Sequence, residues 1–216
     1  MNNSHIRLIV FDLDGTLMSS HKTIYYSMIK AFEDLNIRHD ISEGKFNECI
    51  GLHFIDIFER YDVEVPSFDE FIKIYKSYYF EFIDKSEFYP GVEKTIGDLK
   101  AENYKIALLT TKVQDQADKI LKHFKIDHHF DLIMGRRPNI KDKPSPEPLM
   151  FICNKLNIET KNTMMVGDSE MDIRCGTGAG AKTVGVTYGY RSVEQIKREN
   201  PDFIIDGITE INSILN

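Results

Sequence analysis

The chain has 216 residues, a formal net charge of −7, and an ordinary mix of 42% hydrophobic and 28% charged residues. That length suits one large domain or a medium domain carrying a smaller one, with a core big enough to need no staples. The composition excludes extensive disorder, and the acidic balance excludes a global pull toward nucleic acid or an anionic membrane, so an anionic substrate must find its cations locally.

Three widely spaced cysteines (Cys49, Cys153, Cys175) without a Cys-x-x-Cys pair read as free thiols in a reducing compartment. The start, Met1-Asn2-Asn3-Ser4-His5, lacks the apolar stretch of a leader, and no apolar run approaches the ~18 residues of a membrane span. A cytoplasmic protein is expected.

In chain order, Leu8-Ile9-Val10-Phe11 is the first near-continuous apolar run, the pattern of a strand buried on both faces of a parallel sheet. Residues 17–88 then turn helical. Ile24, Met28, Phe32 and Leu35 are spaced for one helix face, and Phe71, Tyr75, Tyr78 and Phe82 for another. Ser67-Phe68-Asp69-Glu70 has the form of a capping box that satisfies two amides. Pro90-Gly91 marks the return to alternation. Apolar runs follow at 106–109, 132–134, 164–166, 184–186 and 203–205. Helical stripes lie between them: Val92, Ile96, Leu99; Val113, Ala117, Ile120, Leu121, Phe124; Leu149, Ile152, Cys153, Leu156. Alternation at this spacing predicts an α/β fold with a doubly wound parallel sheet. The helical insert leaves just after the first strand's carboxyl end, where open α/β sheets bind ligands, and is placed to act as a lid.

Asp12-Leu13-Asp14-Gly15-Thr16 directly follows the first strand. Alternation puts Asp12 and Asp14 on one side, and Gly15 permits a sharp exit. Two acids at one strand tip repel, so a fold that keeps both wants a cation or a shared proton. Alone, this is also what an Asp-rich turn looks like. Thr110 and Thr111 close the strand 106–109, Lys143 lies in Lys143-Pro144-Ser145-Pro146, and Gly167-Asp168-Ser169-Glu170-Met171-Asp172 ends the strand 164–166. Each has a plain alternative: a strand-end hydroxyl, a solvated lysine, a helix cap. Together, all past strand carboxyl ends, they form one constellation.

That ordered set, Asp-x-Asp-Gly-Thr, strand-end Thr, Lys-Pro-x-Pro and Gly-Asp-x-x-x-Asp, resembles the haloacid dehalogenase superfamily across essentially the whole chain, and most resembles its phosphoglycolate phosphatase-like branch. The resemblance implies a Rossmann-like core from residues 1–16 and 89–216, with a small all-helical cap from 17–88. It also implies an aspartyl-phosphate mechanism with Mg2+. Asp12 is then the nucleophile and Asp14 the general acid and base. Thr110 and the Thr111 amide bind phosphoryl oxygens, and Lys143 neutralises charge. Asp12, the Asp14 carbonyl and Asp168 hold the metal, while Asp172 orients Lys143 or a metal-bound water. Gly15, Thr111 and His53 line the substrate site.

The cap segment 49–54 departs from the sugar-phosphate mutases and phosphonate-cleaving relatives, which carry basic residues there; here only His53 can be cationic. That favours simple hydrolysis of a small phosphorylated metabolite. A monomer or dimer with no nucleic-acid or membrane partner is expected. A phosphomutase, a pyrophosphatase or nucleotidase, and a non-catalytic phosphometabolite-binding module are the rivals. His128-His129 lacks a third ligand at metal spacing.

Overall fold

In the computed structural model, residues 6–215 are described; Met1–His5, read above for a leader, lie outside them. In chain order the elements are β1 (Leu8–Phe11), β2 (Met18–Ser19), α1 (His21–Asp34), α2 (Glu43–Asn47), α3 (Phe54–Arg60), α4 (Phe68–Glu81) and β3 (Glu87–Phe88). There follow α5 (Val92–Ala101), β4 (Lys105–Val113), α6 (Gln114–His123), β5 (Leu132–Arg136), α7 (Glu147–Leu156), β6 (Thr163–Gly167), α8 (Glu170–Ala179), β7 (Lys182–Val186), α9 (Val193–Arg198), β8 (Phe203–Ile205) and α10 (Ile211–Leu215). The chain divides into two compact units, Met1–Leu17 with Phe88–Asn216, and Met18–Glu87. No helix among the described residues is long and apolar enough to cross a membrane.

In the larger unit the six apolar runs become six parallel strands in the order β5-β4-β1-β6-β7-β8. This is the doubly wound α/β sheet expected. β1 is buried along its whole length because it lies between β4 and β6 and has no polar residue to show to water. Leu8, Val10, Ala107, Leu109, Met134 and Met165 pack on one face with Leu149 and Ile152 of α7 and Cys175 of α8. Ile9, Phe11, Ile106 and Leu108, in the opposite phase, are equally buried, so both faces are covered. Strands progress outward from β1 in one direction through β4 and β5, then in the other through β6, β7 and β8. The β1/β6 boundary is therefore the switch point where such sheets open a crevice at their carboxyl ends.

Two sequence expectations need correcting here. β4 does not stop at Leu109; it runs to Val113, with its pairing to β5 shifting register between Leu109 and Val113. Thr110 and Thr111 thus sit inside a strand rather than beyond it, and Val113 ends the strand instead of opening α6. The irregular register accommodates polar residues that a regular buried strand would reject.

The smaller unit is built on α1 and α4. Phe32, Phe54, Phe58, Phe71 and Tyr75 form an aromatic cluster with ring centroids 4.7–5.6 Å apart in pairs such as Phe54–Tyr75, Phe58–Phe71 and Phe32–Phe71. The second correction falls on α4. Its inner face is Phe71, Tyr75 and Tyr79; Tyr78 points outward and donates to Asp34 Oδ2 at 2.9 Å. Both Tyr78 and Tyr79 match a helical period after Phe71, and packing selected the i, i+4, i+8 row. At the start of α4, Ser67 Oγ accepts from the Glu70 amide, which is one half of the expected box.

Candidate active site

The site is assembled at the carboxyl ends of β1, β4 and β6. Asp12 follows the last residue of β1, and its amide donates to Val166 O of β6 at 2.9 Å, fixing where the side chain leaves the sheet. The chain then turns sharply through Gly15, whose φ of +90° is open to glycine at little cost. A second reason demands glycine: a Cβ on Gly15 would stand 2.3 Å from the Asp168 carboxylate. A Cβ on Gly189 would also stand 2.3 Å from Asp168, so two glycines clear the space that this acid fills. Asp168, directly after β6, accepts from the Tyr190 amide through Oδ2 at 2.7 Å.

Asp172 lies in the first turn of α8 and is fully buried. Its Oδ2 accepts from the Ser169 amide at 3.1 Å and Ser169 Oγ at 2.6 Å, capping the helix. The cap is therefore Ser169 with Asp172, and Asp168 is left for other work. Lys143, also buried, donates to Asp12 Oδ1 at 2.7 Å, Asp172 Oδ1 at 2.5 Å and Leu109 O at 3.0 Å. Thr110 is buried, and its Oγ1 accepts from the Lys112 amide at 3.3 Å; Thr111 is half-buried. Asp14 turns its carboxylate to Lys112, with Oδ2 2.5 Å from Nζ.

The charges do not balance within this cluster. Burial pushes the Asp12 carboxyl up to about 7, against the pull of Lys143 and with the help of Asp172 and Asp14. Asp168 is pushed well above the usual carboxylate range by burial, then by Asp12 and Asp172, despite the Tyr190 amide and Arg191. Burial works against the Lys143 ammonium, yet Asp12 and Asp172 outweigh it and hold the group above its ordinary range. One oxygen each from Asp12, Asp168 and Asp172 lies within 4.8 Å of the others. Both oxygens of Asp172 are engaged by Lys143 and Ser169, whereas Asp12 Oδ2 and Asp168 Oδ1 accept no hydrogen bond among the described residues. Two buried carboxylate oxygens facing a shortage of positive charge fit a hard divalent cation with oxygen ligands, such as Mg2+.

Asp12, Asp14, Gly15, Thr110, Lys143, Asp168 and Asp172 thus converge in the larger unit. His53 lies in the smaller unit, immediately before α3, and His21 of that unit faces Glu43 at 3.9 Å. The motif reading passed over Lys112, Gly189, the Tyr190 amide and the Arg191–Glu170 pair (Nε to Oε2, 2.9 Å). Lys112 had a signal in the sequence, since it lies in phase with Thr110 once the strand is allowed to continue. The 189–191 segment had none, because it reaches Asp168 only through the fold.

Comparison with known proteins points to one family. The family profile for haloacid dehalogenase-like hydrolases matches residues 9–186. A pyrophosphatase PpaX from Halalkalibacterium halodurans is 34% identical, with 97% of each chain covered. A phosphoglycolate phosphatase from Haemophilus influenzae is 31% identical over 99% of this chain and 100% of its own. Among solved structures, a predicted phosphoglycolate phosphatase from Haemophilus somnus superposes with a TM-score of 0.84 at 32% identity, covering 98% of this chain and 99% of its own.

Proposed function

The chain belongs to the haloacid dehalogenase-like hydrolase family, and on that footing we propose a Mg2+-dependent phosphatase of a small phosphorylated metabolite, with phosphoglycolate the leading substrate. The observation that carries the reading is Asp12: buried beside Asp168 at the end of the first strand and held through Oδ1 by Lys143 at 2.7 Å.

In this mechanism the Asp12 carboxylate attacks phosphorus, the bond to the leaving oxygen breaks, and Asp14 gives that oxygen its proton. Asp14 then takes a proton from water, which attacks the aspartyl-phosphate and releases inorganic phosphate and the Asp12 carboxylate. Thr110 Oγ1 and the Thr111 amide hold phosphoryl oxygens, with Gly15 keeping the loop close. Lys143, oriented by Asp172, pulls against the burial that favours a neutral Asp12 and holds that side chain in place. Asp12, Asp168 and the Asp14 carbonyl would hold Mg2+. When bound, Mg2+ would cancel charge on the equatorial phosphoryl oxygens, which otherwise repel a carboxylate nucleophile.

The 31% identical phosphoglycolate phosphatase supports the leading substrate. The 34% identical PpaX supports pyrophosphate as the second reading. Relative kcat/KM for the two compounds decides between them. The reading further places the enzyme in the cytoplasm, in keeping with three buried free cysteines. It works as a monomer or dimer without nucleic-acid or membrane partners. The helical unit, with His53, serves as a lid. Amide exchange at 17–20 and 86–90 should then slow with Mg2+ plus beryllofluoride, and identical exchange counts against gating.

The decisive test is Asp12→Asn. It should keep its circular dichroism spectrum and lose Mg2+-dependent p-nitrophenyl phosphate hydrolysis by about 10⁴-fold or more. Retained turnover overturns the assignment.

A further inference from the structure

We propose that Lys112 forms a second anion subsite, selecting substrates whose leaving group carries its own negative charge; the inference deepens, and rests on, the phosphatase reading. The argument starts from the supply of cations. A lysine ammonium has three hydrogens to donate. Those of Lys143 go to Asp12, Asp172 and Leu109 O, all within 3.0 Å, so it serves the nucleophile and has no donor left for a substrate's distal group. Arg191 is committed to Glu170 through Nε and Nη2, at 2.9 and 3.3 Å.

Lys112 is placed differently. The continuation of β4 past Leu109, through an irregular register, carries it to the strand end where the acids gather. Its Nζ lies 2.5 Å from Asp14 Oδ2, and each side chain is only 9% exposed. Burying such a pair desolvates both ions, a cost that a lysine at a strand end ordinarily escapes by reaching into water.

Asp14 is the group that must come within hydrogen-bond reach of the leaving oxygen. An ammonium one hydrogen bond from Asp14 is therefore within reach of charged atoms two or three bonds beyond that oxygen. The carboxylate of phosphoglycolate and the second phosphoryl group of pyrophosphate both lie there, and p-nitrophenyl phosphate has no charge at that place. Lys112 would share its hydrogen bonds between Asp14 and this anion. No covalent bond changes.

The test compares wild type, Lys112→Gln and Lys112→Arg, with Lys112→Met in reserve should the glutamine variant fail to fold. Turnover is measured on pyrophosphate, 2-phosphoglycolate and p-nitrophenyl phosphate with Mg2+. The quantity read is the ratio of kcat/KM for each diacid to that for p-nitrophenyl phosphate. It should fall about 30-fold in K112Q and recover largely in K112R, as loss of one charge-assisted contact predicts. Calorimetry with methylenediphosphonate and with orthophosphate supplies a readout free of turnover. K112Q should weaken the diphosphonate about 10-fold more than orthophosphate. Equal losses on all substrates and both anions would reduce Lys112 to a support for Asp14 and overturn the proposal. A wild type inert toward every phosphate sinks the phosphatase reading, while the binding comparison still decides the subsite.

Discussion

The same parallel sheet treats aspartate in opposite ways at its two ends. At the amino ends of the strands, Asp131 before β5 accepts from Lys105 Nζ at 2.7 Å, Lys100 Nζ at 2.9 Å and the Ile106 amide at 2.9 Å. Asp202 before β8 accepts from Lys182 Nζ at 2.6 Å and the Thr183 amide at 2.9 Å. Burial pushes both carboxyls up, but these donors together outweigh it and hold each below the usual carboxylate range. At the carboxyl ends, Asp12 and Asp168 are buried deeper, crowd one another with Asp172, and are pushed up instead. The difference separates two uses of one side chain. Acids at the entry end tie strands together and stabilise the fold. Acids at the exit end leave a charge deficit inside the fold, which makes thermodynamic sense only if a ligand relieves it.

That contrast can be broken or sharpened by substitution. The largest effect belongs to Lys143→Met, which strips Asp12 and Asp172 of their buried counter-ion; unfolding in urea should show a loss of about 3–5 kcal/mol, together with loss of turnover. Asp168→Asn should act with the opposite sign. Without metal it removes a carboxyl whose folded pKa is raised, so at pH 7 the variant should be more stable than wild type by about 1–2 kcal/mol. That advantage shrinks as pH falls toward roughly 4, where the unfolded carboxyl also takes up its proton. Mg2+ should raise the Tm of wild type and leave that of D168N nearly unmoved, because ligand binding stabilises only a competent site. A D168N protein that loses stability without metal would erase the proposed difference between the two ends.

The smallest effect is at the entry end. Asp131→Asn should cost about 1 kcal/mol at pH 7, modest because its lysines are partly solvated. A depressed folded pKa contributes stability above the unfolded value of roughly 4 and loses it as pH falls through the folded value. Wild type and D131N should therefore converge below about pH 4 in the same urea measurement.

Much of this was legible along the chain, where the physics is local. Six near-continuous apolar runs suit strands of a parallel sheet, and all six are strands of one. What misled was ambiguity that local pattern does not resolve. The run 106–109 stops where polarity begins, so β4 looked four residues shorter at its carboxyl end than it is; Thr110, Thr111 and Lys112 are polar, and the pairing there departs from regular register. Tyr78 and Tyr79 fit the helical period alike, and only the aromatic cluster beneath α4 chose between them.

By itself the sequence determined the alternation, the helical insert, and the placing of Asp12, Asp14, Lys143, Asp168 and Asp172 past strand ends, since the period of apolar residues and the site of each break are properties of neighbouring residues. The tertiary structure alone decided which charges meet. Lys143 reaches Asp12 across 131 positions, and Lys112 reaches Asp14 across 98. Gly15 and Gly189, far apart in the sequence, both make room for one carboxylate. Such pairings depend on strand order and on the register of β4, which no local pattern encodes.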